Sequence, residues 1–247
     1  MKVVCFDLDD TILDTKKCNE EIFYNIKKDL NISMNDERFT KKFRSILRIN
    51  MLKLDPYIYN EEIGIDPIDY FWMEEDVKYG DISRFKKDVF NEMKHIFNLD
   101  TTYEKFEKII KNTSSYYRYT VSGMLEVITF IKEFSQIALI TNGIKDVQRM
   151  KIKNANLEKY FDYIFVSGEV GSGKPNHVFY NHVIKTVNSE PENMIMIGDN
   201  LQNDYFGAIA SGINAIYFSK KEVNYEVLQK KNPEELFESL RAFVIGG

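Results

Sequence analysis

The sequence predicts an α/β protein: a parallel sheet covered by helices on both faces, with an all-helical segment inserted after the first strand. Two observations carry this expectation. Short apolar runs of strand length recur along the chain, and those in its second half alternate with helical patterns. Between the first run and the others, residues 15–119 hold apolar positions at helical spacing with no convincing strand among them.

The strand candidates are Lys2–Phe6, Gln136–Ile140, Tyr163–Val166, Met194–Ile197 and Ala215–Phe218, each followed by polar residues or glycine. Between the later runs, Met124, Val127, Ile128, Ile131 and Phe134 recur at helical spacing, as do Phe179, Tyr180, Val183, Ile184 and Val187. Strand and helix alternating in this way imply a three-layer, Rossmann-like core of residues 1–14 and 120–247 built on a parallel sheet. In the inserted stretch, Ile22, Ile26 and Leu30 mark one helix, and Phe39, Phe43 and Leu47 a second. Phe85, Val89, Met93 and Ile96 mark a third, and Tyr103, Phe106 and Ile110 a fourth. An insertion at this point reads as a helical cap, residues 15–119, over the carboxyl end of the sheet, where open α/β sheets bind their ligands.

Composition narrows the function. With 247 residues, 44% hydrophobic and 29% charged, the chain can bury a sizeable core. A net charge of -5 argues against a nucleic-acid polymer as partner, since such binding needs a basic face, yet leaves small anionic substrates open. Asp7 interrupts the first apolar run before a signal peptide could form, and no apolar run approaches the roughly 18 residues of a membrane span. A cytoplasmic protein with no membrane partner is therefore expected. Cys5 and Cys18 belong to no metal-binding pattern and read as reduced thiols. His95, His177 and His182 lack ligand spacing and read as structural or solvated.

The chemistry-bearing residues fall just past the strand candidates. They are Asp7-Leu8-Asp9-Asp10-Thr11, Thr141-Asn142-Gly143, Ser172-Gly173-Lys174-Pro175 and Gly198-Asp199 through Asp204. In a parallel sheet these loops meet at one edge. Asp7, Asp9 and Asp199 would then crowd together, and three carboxylates raise one another's pKa unless a cation neutralises them. A hard divalent ion that keeps water and phosphate among its ligands suits the site, which points to Mg2+. Asp204 follows Asp199 by five residues, about 140° round a regular helix, so Asp199 is expected in the loop and Asp204 in the first helical turn.

Competing readings fail on particular residues. An EF-hand would need glycine where Ile12 stands and glutamate where Cys18 stands. Gly168 to Lys174 spells the start of a P-loop, but Pro175 replaces the Ser/Thr that would hold magnesium. The glycines there read as a turn that presents Lys174. The aromatic residues Tyr57, Tyr59, Tyr70, Phe71, Trp72 and Tyr79 read as packing within the cap or of cap on core.

The four motifs, in this order at these strand ends, resemble those of the haloacid dehalogenase superfamily, over Lys2 to Asp14 and about Gly123 to Phe218. The resemblance implies that Asp7 attacks phosphorus to form an aspartyl-phosphate, while Asp9 protonates the leaving oxygen and then activates water. Thr141, Asn142 and Lys174 would hold the phosphoryl group. Asp7, Asp199 and the backbone carbonyl of Asp9 would ligate Mg2+, with Asp204 supporting the metal site. The acid at Asp9 sets the chain apart from the dehalogenases, which resemble this motif but lack that acid. The segment from Ile140 to Pro175 is similar to pyrimidine 5′-nucleotidases in Thr-Asn-Gly, Gln148, Tyr160-Phe161-Asp162 and Glu169-Val170-Gly171, although Asn154-Ala155-Asn156 stands where a glycine often precedes the leucine. The implied function is a Mg2+-dependent phosphatase acting on a small phosphate ester, with a nucleoside 5′-monophosphate as one candidate. A sugar-phosphate mutase and a non-catalytic phospholigand-binding relative are the alternatives.

Overall fold

The computed structural model describes residues 1–54, 66–73 and 80–246, so Tyr57, Tyr59 and Tyr79 lie outside the described residues. The predicted α/β fold is present: six parallel strands in the order β3-β2-β1-β4-β5-β6. They are β1 (Val3–Phe6), β2 (Gln136–Thr141), β3 (Tyr163–Val166), β4 (Met194–Gly198), β5 (Asn214–Phe218) and β6 (Gln229–Lys230). The last was not anticipated, because two polar residues at an edge carry no apolar signal. Helices follow as α1 (Thr15–Asp29), α2 (Asp36–Met51), α3 (Ile82–Phe97), α4 (Tyr103–Asn112), α5 (Met124–Ile131) and α6 (Lys145–Asn154). Beyond them come α7 (Ser167–Val170), α8 (His177–Val187), α9 (Gly207–Ala210) and α10 (Pro233–Ile245).

Alternation along β1 splits the core in two. Val4 and Phe6 face a cluster with Met124, Ile128 and Ile131 of α5 and Leu236 and Leu240 of α10. Val3 and Cys5 face the other side, with Phe179, Tyr180 and Val183 of α8 and Ala208 of α9. The apolar spacing runs on to Phe134, but α5 stops at Ile131 and Phe134 is exposed, its ring tilted against that of Phe130 at 5.2 Å between centroids. At the end of α6, Asn156 takes a left-handed φ of 54°, the conformation a glycine would adopt and one that asparagine tolerates.

The helices α1 to α4 and a 3-10 turn at Pro67–Phe71 share a separate apolar cluster, joined by Ile144 and Val147 from the start of α6. Tyr70, Phe71 and Trp72 are packing residues there. Tyr70 lies 4.9 Å from Phe85 and Phe71 6.0 Å from Phe106, centroid to centroid, and the Trp72 indole donates to the Ile110 carbonyl. Both cysteines are buried and free, and the three histidines are exposed. Among the described residues, no helix is long and apolar enough to cross a membrane.

The chain enters at the centre of the sheet, turns outward through β2 and β3, then returns to the other side of β1 as β4. The order reverses beside β1, so the carboxyl ends of β2, β1 and β4 stand next to one another. A crevice outside such a switch point is where open α/β sheets hold ligands.

Candidate active site

Asp7 is the first residue past β1, and its N–H donates to the Ile197 carbonyl of β4 at 2.9 Å, so the sheet ladder itself sets its place. The side chain is nearly buried. Its Oδ1 accepts from the Lys174 ammonium at 2.6 Å, whereas no donor reaches Oδ2 among the described residues. Lys174, 2% exposed, gives its other two N–H groups to Asp204 Oδ1 at 2.6 Å and to the Ile140 carbonyl of β2 at 2.9 Å. Three donors meet three acceptors, which is how a buried ammonium becomes tolerable. Burial pulls the Lys174 pKa down, but Asp204 and Asp7 outweigh it and hold the group above its ordinary value.

Asp199 lies in the loop after β4 and Asp204 in a π-helical turn, Leu201–Phe206, close to the arrangement expected from their spacing. Asp204 is committed twice, to Lys174 through Oδ1 and to the Asn200 N–H through Oδ2 at 2.9 Å. Gly198 makes that possible: a Cβ there would stand 2.2 Å from the Asp204 carboxyl carbon. The Asp199 carboxylate has no hydrogen-bond partner among the described residues. Asp7, Asp199 and Asp204 offer carboxylate oxygens within 4.8 Å of one another.

The electrostatics of this trio call for a cation. Burial drives the Asp7 carboxyl well above its ordinary value, and Asp204 and Asp199 add to the push that Lys174 opposes. Burial, then Asp204 and Asp10, raise Asp199 to about 7. Hard oxygen donors, with Asp7 Oδ2 and the Asp199 carboxylate free of donors among the described residues, fit a magnesium ion.

Asp9 stands apart from the trio. Its Oδ1 accepts from Thr15 Oγ1 at 3.0 Å and Lys151 Nζ at 3.2 Å, and its Oδ2 from Gln148 Nε2 at 3.0 Å and Lys151 Nζ at 3.3 Å. Burial alone would raise this carboxyl, but Lys151, Gln148 and Thr15 together bring it below the ordinary range. Its side chain is thus held by these donors, away from the three clustered carboxylates, and is no metal donor in this arrangement. The remaining acids of the opening cluster serve the backbone or solvent. Asp10 is exposed with a left-handed φ of 56°, and Asp14 caps α1 by accepting from Lys17 N.

Thr141 ends β2 fully buried, its hydroxyl accepting from Gln148 Nε2 at 2.6 Å. The Asn142 side chain holds the next loop in place, donating to the Lys174 carbonyl at 2.7 Å and accepting from the Lys174 N–H at 2.9 Å. Gly143, at φ 148°, clears space for Gln148, whose Cγ a Cβ would approach at 2.6 Å. Sequence reasoning missed Lys151 and Thr15, and gave Gln148 no chemical role. Asp69, 3% exposed on the Pro67–Phe71 turn, was missed too. Burial raises its carboxyl to about 7 against the pull of Lys151, and its buried Oδ1 has no partner among the described residues.

Comparison with known proteins agrees with this geometry. Residues 4–218 match the model of the haloacid dehalogenase-like hydrolase family. A phosphoserine phosphatase of Thermus thermophilus is 38% identical over 84 residues, 34% of this chain and 34% of that protein. The pyrimidine 5′-nucleotidase YjjG of Escherichia coli is 29% identical over 92 residues, 37% of this chain and 41% of that protein. The matched stretch thus spans well under half the length of each of these two relatives. Among solved structures, the magnesium-bound HAD-hydrolase YfnB of Bacillus subtilis shares the fold with a TM-score of 0.66 and 19% identity, over 97% of this chain and 98% of that one.

Two outcomes follow from the geometry. Because Asp199 takes up a proton as pH falls through about 7, magnesium affinity weakens below that point by up to about tenfold per pH unit. A thermal-shift titration is expected to show a larger stabilisation by magnesium at about pH 8 than at about pH 5.5, and equal shifts would contradict the assignment. Gly198→Ala forces Asp204 away from Lys174 and is expected to cost about 1–3 kcal/mol in urea unfolding, as overpacked core positions do.

Proposed function

Since the chain belongs to the haloacid dehalogenase-like hydrolase family, we propose that it is a magnesium-dependent phosphatase that hydrolyses a small phosphomonoester through an aspartyl-phosphate on Asp7. The observation that carries this reading is Asp7 itself. One of its oxygens is pinned by a buried lysine while the other has no donor among the described residues, the condition for a carboxylate that must attack phosphorus.

In the first step Asp7 forms a bond to phosphorus, the bond from phosphorus to the ester oxygen breaks, and Asp9, in the fraction of enzyme where it carries a proton, gives that proton to the oxygen. In the second, water attacks phosphorus, the bond to Asp7 breaks, and Asp9 takes the proton from water. Thr141 binds a phosphoryl oxygen, Lys174 offsets charge on Asp7 and the phosphoryl group from its buried position, and Asn142 keeps the Lys174 loop in register. A magnesium ion held by Asp7, Asp199 and the Asp9 carbonyl, with Asp204 in support, would neutralise charge on the phosphoryl group. The helices of residues 15–119 act as a cap that admits substrate and then excludes bulk water. Relatives named as phosphatase and nucleotidase support small phosphate esters as the substrate class, with a nucleoside 5′-monophosphate as the first to test.

Phosphate release from p-nitrophenyl phosphate and from a metabolite panel is the test. Turnover is expected to require magnesium and to fall on the order of 10³-fold or more in Asp7→Asn, as for other removed nucleophiles. Activity that survives this substitution would refute the reading. Dependence on a bisphosphate activator with little free phosphate would identify a mutase instead.

A further inference from the structure

Two buried polar residues of α6 are unused by the mechanism above. Gln148 is 1% exposed and Lys151 5%, and three residues apart on a helix they share a face. Both point at one carboxylate, that of Asp9. Lys151 reaches both of its oxygens, at 3.2 and 3.3 Å, with the Tyr117 ring centroid 4.9 Å behind the ammonium. Gln148 Nε2 reaches Oδ2 at 3.0 Å and at the same time contacts Thr141 Oγ1 at 2.6 Å and the Asn142 carbonyl at 2.8 Å.

The orientation of that amide is settled by its partners. A carboxylate and a backbone carbonyl only accept, so the nitrogen must face them, even though the buried Oε1 is left with no partner among the described residues. A helix that needed only to pack would place apolar groups at these two positions, since buried polar groups are costly unless bonded. Here both are spent on fixing the torsion of one side chain.

We propose that Gln148 and Lys151 are positioning residues that hold Asp9 in the orientation from which it exchanges its proton with leaving group and water. Gln148 also ties Asp9 to Thr141, so the acid and the phosphate-binding hydroxyl keep one spacing. A proton donor must come within about 3 Å of the atom it serves, and a freely turning aspartate would spend little time there. This inference rests on the phosphatase reading.

The test compares leaving groups. A nitrophenolate departs without a proton, whereas an alkoxide must receive one as its bond to phosphorus breaks. Asp7→Asn, Asp9→Asn, Lys151→Met, Lys151→Arg and Gln148→Leu are assayed for kcat/KM, which reports the first step, on p-nitrophenyl phosphate and on an alkyl phosphate that the wild type hydrolyses. Lys151→Met and Gln148→Leu are expected to lose about 10²-fold on the alkyl ester and under about 3-fold on the aryl ester, the pattern of Asp9→Asn, with partial recovery in Lys151→Arg. Equal losses on both esters would mean a merely structural role and overturn the inference. Gln148→Leu, neutral and close in volume, carries the test if Lys151→Met does not fold. An active Asp7→Asn would sink the phosphatase reading; selectivity in Asp9→Asn without it in the α6 variants would sink this inference alone.

Discussion

The ammonium of Lys174, out of contact with water between Asp7 and Asp204, is the constraint on which the site depends. A charge in that position is stable only while every N–H has an acceptor, and the three acceptors come from three places: the end of β1, the end of β2 and the turn after β4. The register of the central strands and the direction of Asp7 are thereby one property. Loosening any of the three frees the Asp7 carboxylate to rotate and leaves an unpaired charge behind. Gly198 belongs to the same device, because only a residue without Cβ lets Asp204 come up beneath the lysine.

The two carboxylates closest in sequence are sorted into different environments. Asp7 sits among other acids, in a field that favours a divalent cation, while Asp9 faces a second buried lysine, Lys151 of α6. Environments that push two carboxyls apart are a means by which one site divides nucleophilic from acid–base work. The inserted helices meet the site on the Asp9 side. Thr15 opens α1 beside it, Tyr117 backs Lys151, and Asp69 lies in the field of both. The inserted helices thus contact Asp9 and its partners before the clustered carboxylates.

Much of this was legible in the sequence because the sheet advertises itself. β1 to β5 are apolar on both faces, and the polar residues that interrupt them mark their carboxyl ends, which is why Asp7, Thr141, Lys174, Asp199 and Asp204 could be named. β6 escaped because it is two polar residues long. Lys151 escaped for a different reason: α6 also carries Lys145, Arg149 and Lys153, and nothing local separates a buried lysine from solvated neighbours on the same helix. Only the approach of the Asp9 loop, from the far end of the chain, makes it an interior residue. Thr15 stood in the sequence only as the first residue of the inserted segment, and it also opens α1.

The most direct measurement is chemical trapping of the intermediate. Acid-quenched enzyme, caught during turnover with magnesium and substrate, is treated with borohydride, which reduces an acyl phosphate of aspartate to homoserine, and the peptide containing residues 3–14 is sequenced by mass spectrometry. Homoserine at Asp7, dependent on substrate, is the predicted result. Turnover with an unmodified Asp7, or with the phosphoryl group carried on another residue, would contradict the account.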